Sequence, residues 1–150
     1  MFLQKYRFML IALLAGIGAA LSALLIYLHY QPQEGWCTVG NGFSCDIVNR
    51  GVYGEIAGVP VSFIGIIGYV SLCAMALWIN AYQEKRVGFL PLIRIMVAGA
   101  FLFSLYLTYL EAFVLYTFCL FCIGSFILVL LLNGVAFYPV RQNAAVEREP

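Results

Sequence analysis

Four cysteines carry the chemistry available to this sequence. Cys119 and Cys122 form a Cys-x-x-Cys pair, and Cys37 and Cys45 stand with seven residues between them in the longest polar stretch. Thiols at such spacings can cycle between dithiol and disulfide, each exchange being a thiolate attack through a mixed disulfide. Two dithiols on one face of a membrane bundle would form an electron relay. Zinc is the rival chemistry, since four cysteines can bind it tetrahedrally. Such sites usually combine two knuckles of two- to four-residue spacing, and one pair here is wider. A third reading is a structural membrane protein whose loop holds a stable disulfide and whose Cys-x-x-Cys is incidental. The fifth cysteine, Cys73, lies in mid-span and reads as a small apolar packing residue.

The elements that must position these thiols are membrane spans. Of the 150 residues, 64% are hydrophobic and only 10% charged, well under the roughly 25% charge of a soluble domain. The net charge of +1 and the lack of any basic run give no sign of nucleic-acid binding. Phe8–Leu28 is uncharged and longer than a signal-peptide core, so an uncleaved span is expected. The fold class is therefore an all-α integral membrane protein: a single domain, 1–150, built as a four-transmembrane-helix bundle. Its helices are expected at about 8–30, 60–82, 90–116 and 118–138, with an outer loop over 31–59 that carries a short helix and a cytoplasmic tail over 141–150. Small residues (Ala12, Ala15, Gly16, Ala19, Ala20, Ala23; Gly65, Gly68) offer close-packing faces.

Lys5, Arg7, Lys85, Arg86, Arg94, Arg141 and Arg148 fall on one side of these spans, and only Arg50 on the other. The positive-inside rule then makes both termini cytoplasmic and puts all four relay cysteines outside the cytoplasmic membrane, where disulfides persist. Tyr30, Trp36 and Tyr116 suit the outer interface, and Trp78, Tyr82 and Tyr138 the inner one.

Ser44 is expected to cap a short helix over Cys45–Asn49, with Asp46 and Arg50 paired four residues apart. Thr117 is expected to cap the last span and so to place Cys119 in its first turn, where free N–H groups favour the thiolate. Cys122 would share that face, with Ile123, Phe126, Val129 or Leu130, and Asn133 below it. A thiolate above an apolar, aromatic face suits a flat, greasy acceptor such as a quinone; Phe63, Phe126 and Tyr109 are aromatic candidates for contact with its ring. Glu111, an acid inside a span, is a functional candidate by default. His29 reads as solvated at the interface, and Asn133 as an interhelical hydrogen-bonding residue.

The run Cys37-Thr-Val-Gly-Asn-Gly-Phe-Ser44-Cys45, then Tyr53-Gly54, then Gly58-Val59-Pro60, then Cys119-Leu-Phe-Cys122, resembles the vitamin K epoxide reductase family, in its bacterial and archaeal stand-alone form. The resemblance covers nearly the whole chain. It implies a four-helix bundle around a quinone pocket and an oxidoreductase that supports disulfide formation. By the same resemblance Cys37 exchanges with a partner protein, Cys45 passes electrons to Cys119, and Cys122 meets a quinone of the ubiquinone or menaquinone type; Ser44 belongs to the loop motif, and no metal is implied. Val61 stands where vertebrate members carry an Asn, and Phe126 where they carry a Tyr. Both polar groups are associated with the vitamin K head group, so the resemblance implies quinone reduction rather than epoxide reduction. Val61, Phe63, Tyr109, Ile123 and Phe126 are the expected quinone-pocket residues. Some members are fused to a thioredoxin-like domain; none is present here, which implies a separate thioredoxin-fold (DsbA-like) partner outside the membrane.

Overall fold

A computed structural model describes residues 2–31, 40, 42–82 and 86–138. Helix α1 (Phe2–Tyr30) is followed by the short α2 (Cys45–Arg50) and by a hairpin of β1 (Glu55–Ile56) and β2 (Val59–Pro60). Then come α3 (Val61–Ala81), α4 (Arg86–Leu110), a π-helical turn over Glu111–Leu115, and α5 (Leu120–Phe137). Four of these are long and apolar enough to cross a membrane: Tyr6–Tyr30, Val61–Ala81, Gly88–Leu115 and Leu120–Phe137. The protein is thus mostly helical, as expected, and the short helix in the first loop is present. The ends differ. α1 begins at Phe2 rather than near residue 8, and α4 at Arg86 rather than Leu90, because the basic residues flanking each apolar stretch are good helix formers. The expected cytoplasmic tail, Trp36 and Cys37 lie outside the described residues.

Large apolar side chains ring the outside of the bundle: Met9, Leu13, Ile67, Leu77, Ile95 and Leu102 are all exposed. A soluble protein does not carry such a belt, and a hydrocarbon solvent requires one. The interior is built on small residues. α1 packs most extensively on α3, while α3 and α4 touch only lightly. Ala12 and Ala15 are buried as expected, but Gly16, Ala20 and Ala23 face outward. The close approaches fall at Gly18, where an added Cβ would overlap the Tyr69 ring, and, as expected, at Gly65 against Ser22, while Gly68 is exposed with nothing packed on it. Tyr69 crosses the bundle from Gly18 and its hydroxyl meets Ser125 Oγ of α5 at 2.7 Å. Three helices are therefore tied at one level.

At the end away from the loop, Phe8, Ile11, Leu72, Ile79, Ile93, Val97, Leu132 and Ala136 form the main core. Asn133 Nδ2 donates to Val97 O of α4 at 2.9 Å, the interhelical bond expected of it. Arg7 and Arg94 both donate to Ala136 O. Two guanidinium groups thus close the C-terminus of α5, where the helix leaves carbonyls unpaired and its dipole is negative. Cys73 is half-buried beside the core, and its thiol donates to Ala12 O at 3.5 Å, as a packing residue would.

The first loop is folded onto the opposite end. The β1–β2 hairpin turns at Ala57 (φ 54) and Gly58 (φ 81), the two positive-φ positions that a two-residue type I′ turn demands. Asn49 Nδ2 donates to Leu25 O at 2.7 Å, and Gly54 lies so near the Asn49 carbonyl that a Cβ would overlap it. His29 is not solvated, contrary to expectation. Its Nδ1 is 3.0 Å from Asn49 O, and its Nε2 is 3.1 Å from Glu55 Oε1. These contacts fasten α2 and the hairpin to the end of α1.

Candidate functional site

The loop meets the end of the bundle through its backbone. Phe43 and Phe118 form a parallel bridge in which Ser44 N–H donates to Phe118 O at 3.1 Å and Phe118 N–H donates to Gly42 O at 3.0 Å. Cys45 follows on one side and Cys119 on the other, so the bridge sets the two sulfurs against each other. Ser44 caps α2 as expected, accepting the Ile47 N–H at 3.4 Å, and Arg50 pairs with Asp46 at 3.3 Å.

The cysteine turn is built differently from the sequence expectation. Thr117 does not cap α5. Its N–H instead donates to Glu111 O at 3.2 Å, closing the π turn, and Tyr116 sits at φ 49 to end it. The chain then runs extended through Phe118 to the bridge. Cys119 is itself the N-cap of α5, in extended conformation, and Cys122 lies inside the helix. Cys119 thus stands just outside the helix, with the Cys122 thiol beside it.

Cys119 is fully buried, and its thiol donates to the Cys45 sulfur at 3.2 Å. Cys45 is held in a disulfide. Cys37, expected as its partner, lies outside the described residues. Cys119 and Cys122 are free thiols. A sulfur 3.2 Å from a disulfide sulfur needs to move only about 1.2 Å to reach the roughly 2.05 Å of an S–S bond.

The Cys119 sulfur is tuned toward the thiolate. The Cys122 thiol beside it holds Cys119 below the ordinary thiol value; burial opposes this, the Cys122 N–H supports it, the Glu111 carboxylate opposes it and the Phe121 N–H supports it. No full side-chain capping bond closes, yet the two N–H groups lie near enough to favour negative charge on the sulfur. With its proton lost more readily, Cys119 should attack the loop disulfide at lower pH than an ordinary thiol. The rate should fall as acidity rises through that lowered value. Replacing Cys122 tests the cause. In Cys122→Ala the donor is gone, and the pH midpoint of Cys45–Cys119 bond formation should lie above that in Cys122→Ser, whose hydroxyl still donates. Coincident midpoints in quenched alkylation assays would rule out this account.

Glu111 is buried at 3% exposure in the π turn, and its Oε2 accepts the Cys119 N–H at 3.1 Å. The Cys122 thiol is within its reach as well. Among the described residues no basic side chain pairs with it.

Beside these groups a cavity of about 360 Å³ opens between α3 and α4, within the size range of small-molecule sites. Its walls are apolar, chiefly Leu25, Ile64, Leu72, Ala100, Phe103 and Leu107. Cys122 and Glu111 reach its surface and Cys119 does not. The polar lining includes Ser62, whose buried hydroxyl has no hydrogen-bond partner among the described residues, and the Tyr69–Ser125 pair.

Of the five residues expected to form the quinone pocket only Val61 lines this cavity, together with Val129 from the face expected below Cys122. Phe63 is half exposed on the outside of α3, Phe126 stacks on Phe101 with centroids 6.2 Å apart, and Tyr109 stacks on Phe113 at 5.0 Å. Ile123 also stands off the cavity. The cause is rotational. With Cys119 outside the helix, the face that Cys122 presents continues through Ser125, Val129 and Leu132, not through Ile123 and Phe126. Asn49, Ser62, Tyr69 and Ser125 were not singled out from the sequence. Asn49 carried a usable signal, being four residues after Cys45 and so on its face of α2.

The family model for the vitamin K epoxide reductase family matches residues 9–137, most of the chain. With four membrane-length helices, and with Cys45, Cys119 and Cys122 gathered at one end, the protein belongs to the vitamin K epoxide reductase family of membrane oxidoreductases.

Proposed function

We propose that this protein is a quinone-dependent thiol–disulfide oxidoreductase. It takes electrons from an extracytoplasmic thioredoxin-fold partner through Cys37 and Cys45, passes them to Cys119 and Cys122, and hands them to a membrane quinone, so supporting disulfide formation. The observation that carries this reading is the 3.2 Å approach of Cys119 to the disulfide-bonded Cys45, with Cys122 turned to an apolar cavity.

A partner thiolate attacks the Cys37–Cys45 disulfide and frees Cys45. Cys45 then attacks Cys119 of the Cys119–Cys122 disulfide, releasing Cys122. The partner's second thiolate closes the partner's own disulfide and so frees Cys37, which then attacks Cys45 of the Cys45–Cys119 bond and leaves a closed loop pair and a reduced helix pair. The free Cys119 and Cys122 beside the bonded Cys45 correspond to that last state. Cys122 at the cavity surface then donates to the quinone, with Ser62, Tyr69 and Ser125 available as hydrogen-bond donors to its carbonyls. The Lys and Arg distribution supports a topology with both termini in the cytoplasm and the cysteines on the outer face of the cytoplasmic membrane.

The test is quinone reduction by the purified protein with a competent dithiol donor, followed by loss of quinone absorbance. Steady loss supports the reading. No loss, with donor competence shown separately, would refute it.

A further inference from the structure

Glu111 is the one carboxyl among the described cavity-lining residues; the other titratable groups there are Tyr53, Tyr69 and Cys122. It is buried without a basic partner among the described residues, which is costly for a residue that only fills space. It sits on a π turn, a strained form that often marks functional positions. Its Oε2 touches the backbone of one redox cysteine at 3.1 Å, its carboxyl reaches the thiol of the other, and it borders the cavity that Cys122 faces.

We propose, resting on the reading that a quinone is the acceptor, that Glu111 is a catalytic proton carrier: its carboxyl takes the Cys122 thiol proton as the sulfur gives up its electrons, and delivers that proton to an acceptor oxygen in the cavity. The balance closes within the site. Cys119 and Cys122 lose two electrons and two protons and form one S–S bond. The acceptor gains both electrons and both protons and becomes the quinol. Glu111 carries one of those protons and ends as it began. The route matters because Cys119 is fully buried and Cys122 faces a cavity whose walls are mostly apolar. General acid–base groups at such positions contribute roughly 10²- to 10⁴-fold.

Glu111→Gln tests this directly, since the amide oxygen can still accept the Cys119 N–H and keep the turn closed. Three quantities are compared with wild type in lipid nanodiscs, with a decyl-tailed benzoquinone as probe. Single-turnover quinone reduction by the pre-reduced variant should slow by about a hundredfold or more. Probe binding to the oxidised variant should stay within about twofold. In a Cys122→Ser background the Cys45–Cys119 bond should form at least as fast as in the Cys122→Ser parent. Quinone reduction at the wild-type rate would overturn the proposal. So would equal losses of reduction, binding and bond formation, which would mark Glu111 as structural. A wild-type protein that reduces no quinone would sink the parent reading itself, a distinct result.

Discussion

Cys122→Ser is expected to stop quinone reduction while a Cys45–Cys119 disulfide accumulates. The structure has Cys119 as a free thiol 3.2 Å from a sulfur that is already in a disulfide. Attack by Cys119 would free the other half of the loop disulfide and leave Cys119 bonded to Cys45. In the wild type, Cys122 can reopen that bond by attacking Cys119. Serine cannot, so the mixed disulfide persists. Turnover should fall by at least about a thousandfold, in line with loss of a nucleophile whose role no neighbour can fill. Mass tagging of free thiols should find Cys37 newly reactive and both Cys45 and Cys119 protected. Normal turnover by this variant would mean that electrons reach the quinone without Cys122. Absence of the Cys45–Cys119 bond would mean that the two sulfurs do not exchange.

The second large effect is expected at Gly54, far from any thiol in the sequence's own logic. Its N–H donates to Gly51 O at 2.8 Å, and its carbonyl accepts Val61 N–H at 2.9 Å, so it joins the end of α2 to the start of α3. A Cβ there would overlap backbone atoms of Asn49, which cannot swing aside as a side chain would. Gly54→Ala should therefore unseat the segment carrying Cys45 at a cost of about 2 kcal/mol. At 1.4 kcal/mol per factor of ten, that is roughly a thirtyfold drop in the seated population. Exchange between Cys45 and Cys119 should slow by a similar factor. The bundle should melt as before, because the main core lies at the other end. Unchanged exchange in Gly54→Ala would show that seating of the loop does not limit the relay.

The spans were legible because hydropathy averages over some twenty residues and lipid imposes one requirement on all of them. Ser44, Asp46 and Arg50 were legible because capping and pairing within a short helix are local matters. The wall of the cavity beside Cys122 was not. The helix wheel drawn from Cys119 and Cys122 was turned from the true one, because a long-range backbone pairing of Phe118 with the first loop takes Cys119 out of the helix. No local preference of Thr117 or Cys119 signals that pairing. Glu111 was flagged by its rarity within a span. Its place beside both thiols depends on a π turn, which no pattern in Glu-Ala-Phe-Val-Leu announces. His29 was misread for a similar reason: its partners, Asn49 and Glu55, lie in the next part of the chain.

The wide turn at Glu111–Leu115 also bears on which changes of chain length this protein could accept over evolutionary time. A π turn accommodates one residue more than the α-helical path would. Loss of a single residue there would remove the extra residue, so that the turn tightens to an ordinary helical path. Glu111 would then lose the wide turn that sets its carboxyl beside the redox cysteines. Substitutions within these five positions can be absorbed one by one as long as the acid is kept, but a one-codon deletion cannot be. The spacing from the third span to the redox pair should thus drift far less among descendants than the residues that fill it.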